Sequence, residues 1–347
     1  MARKRARIRI IFSAPAQMMP GRIAARRLSL TLRVLFTCAA TAALALIPGL
    51  APAATNATEG RASSGAGPHE YSCPIFPAGN PINQDISHAP VDPNSAAYIA
   101  SIGLTGHLHP DFGTNPSYGI PYTVVGSHQP KVPLEFTEYG EESNPGPYPI
   151  PANAPVEGAG EAGDRHVLVL QEGSCKLYEL YNAQRAGVGW DAGSGAVFNL
   201  RSNALRPNGW TSADAAGLPI FPLLVRYLEV RAGQIDHALR VTVQRTQAGF
   251  IHPATHFAST SSDPALPPMG LRLRLKASYS LAGFHGESLV ILRALKRYGL
   301  IVADNGSSWY ITGAPDPRWN DADLEQLEQV PGSAFEAVRT GPILHIG

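Results

Sequence analysis

Arg165-His166-Val167-Leu168-Val169-Leu170-Gln171, Glu172-Gly173-Ser174 and Cys175-Lys176-Leu177-Tyr178-Glu179-Leu180-Tyr181 form the stretch that decides the fold. Two apolar runs rich in β-branched and aromatic residues flank a short glycine-containing connection, which is the pattern of a β-hairpin. Strand side chains alternate between two faces, so His166 falls with Leu168 and Leu170, and Glu179 with Cys175, Leu177 and Tyr181. An acid or an imidazole aimed at an apolar face must be paired, neutral or lining a cavity. Both residues are therefore candidates for chemistry.

Working outward, a further strand is expected at 196–200. His237 to Val243 alternates strictly, with His237, Leu239, Val241 and Val243 directed inward and Ala238, Arg240 and Thr242 on the other face. Leu271 to Ala277 alternates in the same way, and such patterning predicts strands with one buried and one wet face. Glu287 to Tyr298 reads as a helix with Leu289, Leu292 and Leu295 on one side and Gly299 as its stop. Leu300 to Ala303 reads as a buried strand, Asp304-Asn305-Gly306 as a turn, and Trp309 to Thr312 as the returning strand. A last short helix is expected at 320–329, opened by Asn320 or Asp321. Upstream, Pro145-Gly146-Pro147-Tyr148-Pro149-Ile150-Pro151 fits neither a central strand nor a helix and predicts a segment hugging the surface. Strands outnumber helices, and hairpin signals outnumber βαβ signals. The expected class is mainly β: an antiparallel β-sandwich of jelly-roll type with one or two packed helices near the C-terminus, formed as a single domain by residues 73–347.

Residues 1–53 carry nine of the chain's 28 Lys and Arg, no Asp or Glu, and an apolar run at 34–47 ending before Ala51-Pro52-Ala53. That run is shorter than the ~20 residues of a membrane span, and the segment reads as a signal peptide of a secreted protein. A small, polar leader at 54–72 is expected to be disordered. Without residues 1–53 the chain has 19 basic and 27 acidic side chains, a net charge near −8. This balance argues against a nucleic-acid partner. No later apolar segment suggests a membrane span after cleavage, and a monomer is expected. Cys73 and Cys175 are expected to pair in an oxidising compartment, at about 4 to 5 kcal/mol in the chain-entropy model; two buried thiols are the alternative.

A second source of candidates is the loop from Arg206 to Pro219, which gathers Arg206, Trp210, Ser212 and Asp214. Binding and catalytic groups concentrate on such loops. The structural alternative has Ser212 or Asp214 capping a turn while Trp210 packs on the core. His107-x-His109 with Asp111, His252 or His256 offers a metal set, partly like the His-x-His of cupins, although Pro110 interrupts it and the second cupin motif is missing. The chain has no G-x-S-x-G elbow, H-E-x-x-H helix, P-loop or dinucleotide fingerprint, and no cofactor is expected. A pair of carboxylates distant in sequence stays open, because such a pair flanks a glycosidic bond without any local motif.

Asp164-Arg165-His166-Val167-Leu168-Val169, Gly193-Ser194-Gly195-Ala196, Asn208 to Gly217 and Ala294-Leu295-Lys296-Arg297-Tyr298-Gly299 together resemble an uncharacterised family of exported microbial proteins, over roughly residues 73–343. The resemblance implies a whole-domain architecture with the Asp214 loop in its core pattern, and it brings no activity. The expected function is a secreted carbohydrate-active enzyme, a glycoside hydrolase or polysaccharide lyase acting on a polysaccharide or oligosaccharide. Glu179 and Asp214 are the acid and base candidates, His237 and His166 assist, and Asp164, Arg206, Trp210 and Ser212 bind substrate. A non-catalytic extracellular glycan-binding protein is the first alternative, and a metal-dependent exported enzyme using the histidines is the second.

Overall fold

A computed structural model describes residues 68–160 and 163–346. The expected signal peptide and the leader up to residue 67 lie outside the described residues. In chain order the structure forms β1 (His69–Glu70), β2 (Cys73–Pro74), α1 (Ser95–Ile102), β3 (His109–Asp111), β4 (Tyr122–Val125) and β5 (Leu134–Phe136). Next come β6 (Val167–Gln171), β7 (Lys176–Tyr181), β8 (Gln184–Ala186), β9 (Gly189–Ala192), β10 (Ser194–Asn199), α2 (Tyr227–Arg231) and β11 (Leu239–Val243). The C-terminal part adds β12 (Arg272–Leu275), α3 (Gly286–Arg297), β13 (Leu300–Asn305), β14 (Tyr310–Thr312), α4 (Asp321–Leu324) and β15 (Phe335–Val338). The mainly β class expected from the sequence is what these residues build. They form a four-stranded sheet in the order β10-β7-β6-β4, a six-stranded sheet in the order β15-β12-β13-β11-β14-β3, and two smaller sheets.

The expectation of purely antiparallel sheets is corrected. β4 with β6, β5 with β9, β11 with β13, and β14 with β3 all pair in parallel, where a jelly roll has antiparallel neighbours. The turn expected at 304–306 does not join adjacent strands. Asp304 and Asn305 continue as strand opposite Thr242 and Val243, so β11 sits between β13 and β14.

The hairpin of β6 and β7 forms as read, with Leu168 opposite Glu179. Its unbroken apolar run in β6 is explained by two cores. Leu168, Leu170 and Leu177 enter the larger one, while Val167, Val169, Tyr178 and Leu180 enter a smaller one completed by Tyr148, Ile150 and Trp190. A strand buried on both faces has no need of alternation. The proline-rich segment thereby becomes one wall of the smaller core. Cys73 and Cys175 form the disulfide, which fastens β2 to the entry of β7, and Pro68 to Ser72, at the end of the expected leader, already hold β1 against β2.

Helix α3 buries Ser288, Ile291, Leu292 and Leu295, an i, i+3, i+4, i+7 stripe in which Ile291 takes the place expected for Leu289. It packs on β12. Gly299 closes it at φ +68°, and a Cβ there would lie 2.1 Å from the carbonyl oxygen of Leu273. Only glycine takes that conformation in that space.

The expectation that β11 and β12 each keep one wet face is also corrected. Arg240, Arg272 and Arg274 are buried although they stand on the supposed solvent side. Arg272 donates to the carbonyls of Pro81 and Tyr298, and Arg274 donates to Glu336 and to the carbonyls of Ile86, Ser87 and Ala89. Irregular chain from 81 to 89 covers that face, and its free carbonyls supply the acceptors that a buried guanidinium requires.

Candidate functional site

The six-stranded sheet carries a polar face that begins with Arg240. Residues opposite one another in a sheet point to the same side. Thr242 pairs with Asp304 on one flank and Tyr310 on the other, and Tyr310 pairs with His109. Two residues along the same strands stand Arg240, Thr312 and Asp111, the last two also directly paired. Arg240 Nη1 donates to Thr312 Oγ1 at 2.9 Å.

Asp304 belongs to this face because of a β-bulge. Val241 pairs with Val302, but Thr242 pairs with Asp304, so Ala303 is an extra residue that reverses the parity of the strand beyond it. Bulges re-aim side chains in this way, often beside functional sites. Without it Asp304 would share the side of Val302. With it, Asp304 Oδ2 accepts from Arg240 Nη2 at 3.2 Å. The carbonyl of the bulged Ala303 accepts from the amide of Ala216, which docks the loop 206–219 over the sheet.

That loop delivers Asp214, fully buried, to Arg240: Nε to Oδ2 and Nη2 to Oδ1, both at 2.8 Å. The fork-to-fork geometry is the strongest form of this ion pair. The neighbouring carbonyl of Ala213 accepts from His166 Nε2 at 2.9 Å, and Glu157 Oε2 lies 2.6 Å from His166 Nδ1. Both ring nitrogens thus face acceptors, and only the doubly protonated imidazolium satisfies both. Burial works against that charge, but Glu157 overcomes it and His166 is pushed up to about 10. Burial also raises the Glu157 carboxyl, but the imidazolium outweighs it and holds Glu157 below its ordinary value.

Above this buried layer lie groups that reach solvent. The Asp304 side chain is 21% exposed. Burial first, and then the Asp214 charge, push its carboxyl up to about 8 against the pull of Arg240. Asp111 is partly exposed and is raised by burial, with His109 opposing and Glu157 adding to the shift. Asp164 is exposed and acts electrostatically on Asp304, His166 and Tyr181. The Tyr310 and His109 rings pack 4.1 Å apart at the edge of the face, and His109 Nδ1 lies 3.1 Å from Glu328.

The structure gathers some of the sequence candidates and separates others. His166, Asp214 and Glu179 interact, but all three are sealed in the interior. Glu179 accepts from the amides of Ile220 and Phe221, and burial raises its carboxyl to about 7. His237 stands apart from them. It is fully buried, with Nδ1 on the carbonyl of Ala238 and Nε2 between Arg226 and Glu229. Arg206 is tied to the carbonyls of Thr211 and Glu142 and to Asn144, with its guanidinium 5.6 Å from the half-buried Trp210 ring. Ser212 is buried and bonded to the carbonyls of Asp214 and Leu218, so it organises the loop from within. Of the eight candidates, Asp164 alone is exposed.

Residues that the sequence reading did not single out for catalysis complete the site: Arg240, Asp304, Glu157 and Thr312. An arginine in the middle of an alternating strand was the available signal for Arg240. Asp304 looked like a turn residue, and the bulge that re-aims it has no mark in the sequence.

Of the histidines considered for metal, His252 bonds Asn208 and His256 bonds the carbonyl of Ala215, away from His109 and Asp111. Among the described residues no three His, Cys, Asp or Glu side chains are placed to hold a metal ion. A surface depression of about 540 Å³ beside α1 and β15, lined by Ile99, Leu104 and Phe335 among others, shares no residue with the carboxylate face. No family model, curated protein or solved structure matches the chain.

Proposed function

We propose that the protein is a secreted carbohydrate-active enzyme that cleaves a glycosidic bond by general acid–base chemistry, with Asp304 as the acid and Asp164 as its carboxylate partner. The observation that carries this reading is the placement of Asp304. It is turned by a bulge onto a polar sheet face, is partly open to solvent, and is set so that the carboxyl keeps its proton near neutral pH. Two carboxyl groups in unlike environments are what acid–base cleavage of a glycoside needs. Glu179 and Asp214 serve this site from below, Asp214 by fixing Arg240 and Glu179 by fixing the loop that carries Asp214. The Cys73–Cys175 disulfide and the basic, acid-free start of the chain support export.

The test is a screen of polysaccharides for new reducing ends or unsaturated sugars with the purified protein and with Asp304→Asn. Wild type is expected to release product, and Asp304→Asn, if it melts like wild type, to lose at least about a hundredfold in rate. Full activity in Asp304→Asn would refute the assignment. Binding to glycans without turnover in either protein would favour a non-catalytic glycan-binding role.

A further inference from the structure

We propose that residues 68–72 form a pH-governed strap: with the Glu70 carboxyl protonated they close against Arg226, Glu229 and His237, and ionisation of Glu70 releases them. The inference is independent of the reading of Asp304.

The strap is held by few bonds. β1 contributes only two residues, His69 opposite Pro74 and Glu70 opposite Cys73. The carbonyl of Pro68 accepts from the amide of Ile75 at 2.7 Å, and Ser72 Oγ donates to Glu172 at the surface. Tyr71 stands in the left-handed region at φ +55°, a conformation that a residue with a Cβ resists, and its side chain is exposed. Cys73, bonded to Cys175, marks where the strap ends, so the chain on its N-terminal side can lift while β2 stays in place.

Glu70 is the residue that reaches inward. It is 5% exposed, whereas His69 and Tyr71 on either side are exposed. Ring contacts trace the interior next to it: Tyr71 lies 6.5 Å from Tyr122, Tyr122 lies 4.8 Å from Phe221, and the Arg226 guanidinium lies 4.9 Å from the Phe221 ring. The charged and titratable groups that face Glu70 are Arg226 at the start of α2, Glu229 within α2, His237 ahead of β11, and Tyr122 in β4. Arg226 is already engaged, with Nη1 donating to the carbonyl of Phe221 and Nη2 to Glu229 at 2.8 Å and His237 at 2.9 Å. Among the described residues, neither Glu70 Oε1 nor Arg226 Nε has a hydrogen-bond partner.

A buried carboxylate with an unanswered oxygen is far costlier than the neutral acid. Burial accordingly raises the Glu70 carboxyl above its ordinary value; Arg226 and His237 oppose the shift and Glu229 adds to it. The closed strap therefore holds a proton that the open strap gives up. Closure is favoured at low pH and is lost as the pH rises through the raised value. Release takes the ionised carboxyl to water, frees the Tyr71 backbone, and removes the acid that faces the Arg226–Glu229–His237 cluster.

The experiment is hydrogen–deuterium exchange of the purified, oxidised protein in a series from about pH 4.5 to about pH 8, with labelling times scaled for intrinsic exchange. A peptide covering residues 69–75 reports the strap, and peptides from β6 and α3 serve as references. In wild type the strap's protection is expected to fall at least about threefold across the series along a one-proton curve, with the references unchanged. Glu70→Gln, neutral throughout, is expected to keep its low-pH protection to the end of the series. If Glu70→Gln is unprotected at every pH, the amide does not dock and the wild-type curve decides: a one-proton fall confined to the strap upholds the proposal. Flat wild-type protection, a fall in Glu70→Gln that matches wild type, or an equal fall in β6 and α3 would overturn it.

Discussion

Replacing Arg240 by methionine is the sharpest perturbation of the buried layer. The guanidinium makes two 2.8 Å bonds to Asp214, one of 2.9 Å to Thr312 and one of 3.2 Å to Asp304. Asp214 is wholly buried, and its carboxylate oxygens take their side-chain bonds from this arginine. Removing one partner of a buried ion pair strands the other and costs about 3–5 kcal/mol. For a protein of this size that lowers the melting temperature by on the order of 5–10 °C. The cost comes from the stranded charge, so it should shrink once the charge is removed. Arg240→Met with Asp214→Asn is expected to recover about 1–3 kcal/mol relative to Arg240→Met alone, a coupling measured as a double-mutant cycle by urea unfolding. An Arg240→Met protein within about 1 kcal/mol of wild type, or a double variant whose loss is the plain sum of the two single losses, would refute this account of the pair.

Three further outcomes are expected. Glu179, Asp304 and His166 are raised to about 7, 8 and 10, so the folded protein holds protons that the unfolded chain releases, and their contribution to stability is lost as the pH rises through those values. Glu157 and Glu229 are lowered and act in the opposite sense only on acidification, so the melting temperature should fall by on the order of 5 °C from pH 5.5 to 9; a higher value at pH 9 contradicts this. Glu179→Ala strands the amides of Ile220 and Phe221 and should cost about 2–4 kcal/mol, while Glu179→Gln keeps an acceptor and should cost about 1 kcal/mol or less, both read by urea unfolding. Replacing Cys73 and Cys175 by alanine should lower stability by about 2–5 kcal/mol in chemical unfolding, and a loss under about 1 kcal/mol would show that the bond adds little.

The β6–β7 hairpin was legible because everything it needs is local: two strand-forming runs, a turn glycine and a period of two. Parity correctly placed His166 and Glu179 on the face of the larger core. What parity does not report is which remote segment covers a face. Arg240 and Arg272 obey the alternation, yet both are buried, because loop 206–219 and chain 81–89 come from far away in sequence to lie over them. Asp304 is harder still. One inserted residue, Ala303, reverses its side, and a reading that counts by twos has no means to find the insertion.

The ion pairs beside Asp304 bear on why the site is built this way. A well-packed apolar substitute for a buried ion pair is often as stable or more so, so Arg240 with Asp214, and His166 with Glu157, are weak evidence of stability gained. Their geometry has another consequence. Arg240 Nη2 is shared by Asp214 and Asp304, which ties the partly exposed acid to a loop anchored at Ala216 and held through Ala213 by His166. Loosening any one of these contacts removes part of what holds the Asp304 carboxyl against Arg240. On the proposed reading the buried layer therefore fixes where a proton is delivered, and groups held within hydrogen-bonding tolerance on strands do this better than the same groups on a free loop. On the same reading Glu179, Asp214 and His166, which the sequence marked as catalytic, hold the exposed acid in place from below, while His237, tied to Arg226, Glu229 and the carbonyl of Ala238, takes no part.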